Sequence, residues 1–71
     1  MTHAVVFFKY GIVWTIIDML RRRIEELRKE LEKCEDPDYR RAIEAKIRSL
    51  EAEAEYWFYM WKAINKQRVL M

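Results

Sequence analysis

The chain has 71 residues, enough for one small domain, and its 14 Lys and Arg against 12 Asp and Glu give a net charge of +2. It is 52% hydrophobic with a single glycine and a single proline, which excludes disorder, a collagen-like chain and a many-stranded β-domain. One cysteine excludes an intrachain disulfide framework and a multi-cysteine metal site. A core of this size supplies only about 3–5 kcal/mol, so we expect a partner or another source of stability.

Hydrophobic and charged residues occupy different parts of the chain. Residues 1–20 and 56–71 are rich in apolar and aromatic side chains, whereas residues 21–55 mix basic and acidic ones. Opposite charges in and next to this middle segment stand four residues apart, as in Asp18–Arg22 and Arg40–Glu44, a spacing that supports a helix. The pattern indicates a solvated, ion-paired helical surface in the middle and an apolar surface toward both ends.

One strong helix breaker, Asp36-Pro37, divides the chain. The residue before a proline avoids the right-handed helical conformation, so a first helix should end just before this pair. Pro37 suits the first position of a second helix, and Asp36 can cap that helix by accepting a backbone N–H near Tyr39. We therefore predict one helical hairpin over the whole chain, with helix 1 at about residues 4–34, the turn at 35–37 and helix 2 at about 37–68.

Apolar residues repeat along both helices with alternating spacings of four and three, the heptad pattern of coiled coils. On helix 1 this stripe comprises Val6, Tyr10, Val13, Ile17, Leu20, Ile24, Leu27 and Leu31. On helix 2 it comprises Ile43, Ile47, Leu50, Ala54, Trp57, Trp61 and Ile64. A short turn makes the helices antiparallel neighbours, and the two stripes, together called the intrachain seam, then meet in register. The sequence predicts an all-α fold, a coiled-coil-like two-helix antiparallel hairpin that assembles into a four-helix bundle or a larger helical assembly.

Helix 1 carries more apolar surface than one seam requires. A helix that is apolar on all sides is buried on all sides, so residues outside the seam are predicted to contact another copy or a partner. This predicted interface comprises Phe7, Phe8, Gly11, Ile12, Trp14, Thr15, Ile16, Met19, Phe58 and Met60. Within it, Gly11 and Thr15 form a small-residue groove that would let the backbone of a second helix come close.

Residues with reactive side chains are few and isolated. His3 is the only histidine and has no second ligand at helical spacing, so it is interpreted as an ordinary terminal residue. Cys34 continues the seam beside the turn and is interpreted as a small hydrophobic residue, with an interchain disulfide as the alternative. The sequence has no nucleophile–base set, no glycine-rich phosphate loop and no Glu-x-x-His pair. We therefore predict no enzymatic activity, no cofactor and no metal.

Two alternatives for the apolar end remain open. Residues 4–20 would span about 25 Å as a helix, at the lower limit for crossing a bilayer, and Arg21-Arg22-Arg23 follow as a cytoplasmic flank would. Against embedding in lipid, Lys9 and Asp18 interrupt this segment, and the apolar stretch of helix 2 is too short to return. The arginines and nearby aromatic residues could also contact nucleic-acid phosphates, but acidic residues follow them at once, which disfavours that alternative.

These patterns together predict a non-catalytic helical hairpin that self-assembles or binds another protein. A coat- or filament-type structural subunit and a designed bundle are two concrete forms. The expected partner is a second copy of the chain, as in a homo-oligomer, with another protein or a membrane as alternatives and nucleic acid not expected. A cytoplasmic or soluble location is favoured, with a membrane-associated one as the alternative. In general plan the chain resembles small plasmid-regulatory and designed hairpin bundles, without a diagnostic motif for any family.

Overall fold

A computed structural model of the chain describes residues 11–70, with side chains through residue 65, as two helices. A short π-helical turn at residues 11 and 12 leads into α1 (Val13–Lys33), and α2 spans Pro37–Leu70. Residues 34–36 connect them, and residues 11–70 contain no strand. The prediction of an all-α chain with two helices is therefore confirmed. The predicted helix 1 before residue 11, with the seam residues Val6 and Tyr10 and the interface residues Phe7 and Phe8, lies outside the described residues.

The two helices run antiparallel and are in contact along their length. At the turn end, Arg40 Nη1 of α2 lies 2.8 Å from the carbonyl oxygen of Leu31 in α1. At the opposite end, the rings of Trp14 and Trp61 are 5.3 Å apart between centroids. The described chain measures 53 × 18 × 14 Å, the dimensions of two helices side by side with no third layer. Within residues 11–70, each helix is therefore covered by its neighbour along one face only.

The core lies where the two helices face each other. Its buried side chains are all aliphatic and comprise Val13, Ile17, Ile24, Leu27, Ile43, Ile47 and Leu50. Five of them, from Ile24 to Leu50, form one cluster toward the turn, against which Leu20, Leu31 and Cys34 pack. All seven occupy seam positions, whereas Ala54, Trp57, Trp61 and Ile64 are half-buried. The compact part of the core is thus the aliphatic half, and the aromatic half is more open.

The turn is held by side chains on both sides of it. The side chain of Asp36 caps α2, because its Oδ1 accepts the backbone N–H of Asp38 at 3.0 Å. The donor is thus one residue before Tyr39, near which the sequence predicted it. Arg40 donates from Nη1 to the carbonyl oxygens of Leu31 and Cys34, at 2.8 and 3.0 Å. Leu31 lies in the last turn of α1 and Cys34 directly follows the helix, where carbonyl groups lack the regular helical N–H partners. The Leu31 carbonyl oxygen also accepts the backbone N–H of Cys34 at 3.3 Å. Arg40, expected to pair with Glu44 along α2, instead closes the end of α1.

Candidate interaction surfaces

The hairpin has two lateral sides, one on each side of the contact between α1 and α2, and they differ in chemistry. The side that bears Ile16, Met19, Leu20 and Leu50 is called the apolar flank. The side that bears Arg28 and its ion-pair partners is called the charged flank. Because the described residues are only two helices wide, no other part of residues 11–70 covers either flank.

The apolar flank carries a groove of about 490 Å³ between the helices. Ile16, Leu20 and Leu50 line its apolar floor, and Met19 lies at its edge with the charged side chains of α1, namely Arg22, Arg23 and Glu26. Met19 is 63% exposed, although its side chain is large and hydrophobic. A contiguous apolar groove with a charged rim is the usual form of a protein-binding surface.

The apolar surface continues from this groove toward the aromatic end. On α1, Ile12 precedes Ile16 by one turn and lies on the same ridge of the helix. On α2, Trp57 lies one heptad beyond Leu50 and Tyr56 directly precedes it. Met60 follows Tyr56 by one helical turn. Tyr56 is 55% exposed and Met60 36% exposed. Four of the residues predicted to form an interface therefore belong to one surface, namely Ile12, Ile16 and Met19 from the first helix and its leading turn and Met60 from α2.

The charged flank is dominated by Arg28. Its guanidinium lies 2.9 Å from Glu51 Oε2 across the hairpin and 3.8 Å from Glu25 Oε2 along α1. Two shallow grooves of about 390 and 270 Å³ lie on this flank, and both are bordered by Arg21 and by the small side chain of Ala54. All three ion-paired side chains are about half exposed, so the interaction contributes at most about 1 kcal/mol.

An aromatic cluster joins the helices at the end of the charged flank farthest from the turn. The ring of Trp14 packs edge-on against Trp61 and against Phe58, with centroid distances of 5.3 and 6.3 Å. Lys62 Nζ lies 5.5 Å from the centre of the Phe58 ring, within range of a cation–π interaction. Trp61 Nε1 is buried and has no hydrogen-bond partner among the residues that the structure describes.

The structure divides the predicted interface rather than presenting it as one surface. Trp14 and Phe58, expected to contact another chain, contact each other within the hairpin, because large rings one position beside the seam can reach across it. Thr15 is exposed and donates its hydroxyl to the carbonyl oxygen of Gly11 at 2.8 Å, on the outer side of α1. Gly11 is half-buried, and neither residue borders the groove of the apolar flank.

Tyr39 and Glu30 link the two helices near the turn, and the sequence did not reveal this contact. The Tyr39 hydroxyl donates to the Glu30 carboxylate. This hydrogen bond, together with the negative charge of Glu30, raises the pKa of Tyr39 above its usual value. No regular spacing signals such a pair, because its members lie on different helices nine residues apart.

Among residues 11–65, His, Cys, Asp and Glu side chains form no group of three that could hold a metal ion. Neither helix, over the part of the chain that the structure describes, contains a segment long and apolar enough to cross a membrane. No protein-family model, curated protein or solved structure matches the chain. The surfaces themselves are therefore the basis for assigning a function.

Proposed function

We propose that the chain is a non-catalytic self-association module, a helical hairpin whose partner is a second copy of itself. A four-helix bundle is the smallest assembly of this kind, and a coat- or filament-type subunit would be a larger one. The observation that supports the proposal is the apolar groove of Ile16, Leu20 and Leu50 with the exposed Met19 at its edge. Water contacts apolar side chains there that a second hairpin would cover.

The small core of the single hairpin also supports self-association. Seven buried aliphatic side chains provide limited stabilisation for a chain of this length. Transfer of further apolar area from water contributes about 25 cal/mol per Å² before the cost of association is subtracted. A second hairpin on the apolar flank would enlarge the core and would stabilise the folded chain as protein concentration rises.

Sedimentation equilibrium in buffer without detergent tests this function, because the monomer mass is 8.8 kDa. We expect a parent species larger than the monomer and Met19→Glu to weaken association at least about tenfold, because it would bury an unpaired carboxylate. The exposed position of Met19 leaves the hairpin itself helical. Ala45→Glu is the matched control, since it adds the same charge at an exposed position of α2.

A parent chain that stays monomeric at every concentration would refute self-association. Association that Met19→Glu and Ala45→Glu leave equally strong would show that the apolar flank is not the surface involved. The two alternative functions, lipid association and nucleic-acid binding, would give different results. A lipid-associated hairpin would co-sediment with vesicles, and a nucleic-acid binder would show affinity that falls steeply with salt.

A further inference from the structure

A second heptad stripe runs along the apolar flank, one ridge outside the intrachain seam. On both helices its residues alternate spacings of four and three, as in the seam itself. On α1 it comprises Ile12, Ile16, Met19, Arg23, Glu26 and Glu30. On α2 it comprises Ala42, Lys46, Ser49, Glu53, Tyr56 and Met60. None of these side chains is buried in the hairpin, so both halves of the stripe are accessible to another molecule.

Glu30 accepts the hydrogen bond of Tyr39, and the other charged residues of this second stripe are not used within the described hairpin. Arg23, Glu26, Lys46 and Glu53 take part in none of the ion pairs formed by residues 11–65. By contrast, the charged flank pairs Arg28 across the helices with Glu51. The apolar flank therefore presents apolar residues toward one end and unpaired charges of both signs toward the turn.

We propose that a second copy of the chain binds this stripe about a two-fold axis parallel to the long axis of the hairpin. This inference rests on the proposed self-association and specifies its geometry. Each α1 then lies between its own α2 and the α2 of the second copy, so all neighbouring helices are antiparallel. The axis keeps corresponding residues at the same height, as in the hairpin itself.

This arrangement matches the stripe by chemistry toward its two ends, and midway it sets Met19 beside Glu53. It places Ile12 of one copy beside Met60 of the other, and Ile16 beside Tyr56, which buries apolar against apolar or aromatic side chains. Toward the turn it places Glu26 beside Lys46, two opposite charges that form no ion pair among residues 11–65 of the single hairpin. The two-fold axis produces every such pair twice.

The direction of the axis follows from the uneven distribution of the apolar residues. An axis perpendicular to the hairpin through its middle would set Ile12 and Ile16 against the charged turn end of the other copy. Apolar side chains would then face Lys46 and Glu30, and their burial would desolvate charges without pairing them. The parallel axis is the arrangement that brings the apolar ends together.

Charge reversal and mixing test the proposed pair directly. Glu26→Lys alone sets lysine beside Lys46 twice per dimer, and Lys46→Glu alone sets glutamate beside Glu26 twice. Each variant should dissociate about tenfold more readily than the parent, because two attractive pairs become repulsive. An equimolar mixture of the two variants restores both attractive pairs, and should recover association to within about twofold of the parent. Sedimentation equilibrium measures all three samples, and circular dichroism establishes that each variant keeps its helix content.

Glu32→Lys supplies a matched control, since it makes the same charge change on α1 about 120° around the helix from Glu26. Alone it should associate like the parent, and mixed with Lys46→Glu it should remain weaker than the test mixture. If the parent associates but the Glu26→Lys and Lys46→Glu mixture shows no recovery, this geometry is wrong although self-association stands. A monomeric parent would instead refute the proposed function on which the geometry depends.

Discussion

Arg40 belongs to α2 by sequence, yet its side chain completes α1. The guanidinium bridges the carbonyl oxygens of Leu31 and Cys34 and is half-buried while doing so. A positive charge at the end of a helix also interacts favourably with the helix dipole. The residue therefore fixes the geometry of the connection as well as the end of one helix.

Replacement of Arg40 by methionine should lower the free energy of unfolding by about 1–2 kcal/mol, since two charge-assisted hydrogen bonds are lost. Methionine keeps much of the apolar stem and removes the donors. Arg41→Met is the matched control, because Arg41 is exposed and adjacent. Urea denaturation at one protein concentration measures both variants. Equal stability of the two would mean that the Arg40 hydrogen bonds contribute nothing.

Because of Tyr39, the stability of the hairpin should change with pH in the alkaline range. Its pKa is raised by the hydrogen bond to Glu30 and by the charge of that carboxylate. The neutral phenol is therefore favoured by folding, so the stabilisation is fully present below the ordinary tyrosine pKa of about 10 and is lost as the pH rises through the higher folded value.

Glu30→Gln should lower the pKa of Tyr39 toward its ordinary value, because the negative charge disappears. NMR titration of the Tyr39 ring carbon that bears the hydroxyl measures this shift without interference from the other tyrosines. Glu32→Gln, which removes a charge from the same helix away from Tyr39, should leave the titration unchanged. An unaltered Tyr39 titration in Glu30→Gln would contradict the assigned cause.

At the scale of the helices, the aliphatic cluster near the turn carries most of the packing. Leu27 is only 5% exposed and belongs to the cluster of Ile24, Ile43, Ile47 and Leu50. Leu27→Ala should cost about 2–5 kcal/mol through lost transfer energy and the cavity left behind. Leu31→Ala, at the half-buried margin of the same cluster, should cost distinctly less. Chemical denaturation compares the two, and an equal loss would show that the cluster is not centred as described.

The two helices could be predicted from sequence because heptad spacing and Asp36-Pro37 are local signals. The contacts of Trp14, Arg28 and Arg40 were missed for a common reason. Each reaches from one helix to the other, whereas spacing along a single helix reports only residues three or four apart. A prediction limited to the seam also misses contacts of large aromatic rings, because such a ring can contact the opposite helix from a position beside the seam. The sequence predicted that Ile12, Ile16 and Met19 would be interface residues. It did not predict that the apolar flank would be separate from the aromatic cluster.

At the scale of the whole molecule, the position of the aliphatic cluster sets the order in which the chain can fold. Leu27 and Ile43 close a short loop around the turn, whereas contact between Trp14 and Trp61 closes a loop about three times as long. Loop-closure entropy rises with length, so the short loop forms at the lower cost and the helices can then join progressively toward the aromatic end. Unfolding fluctuations should begin at that end.

Backbone amide hydrogen exchange would record this gradient. Amides around Ile24 and Ile47 should exchange most slowly, and those around Trp14 and Trp61 should exchange faster through partial opening of the hairpin. Assembly on the apolar flank would preferentially slow the faster group, because Ile12, Ile16 and Met60 lie in the same half. The difference between the two ends should therefore shrink as protein concentration increases, so that the fraying end of the monomer becomes the part of the chain that gains most protection on assembly.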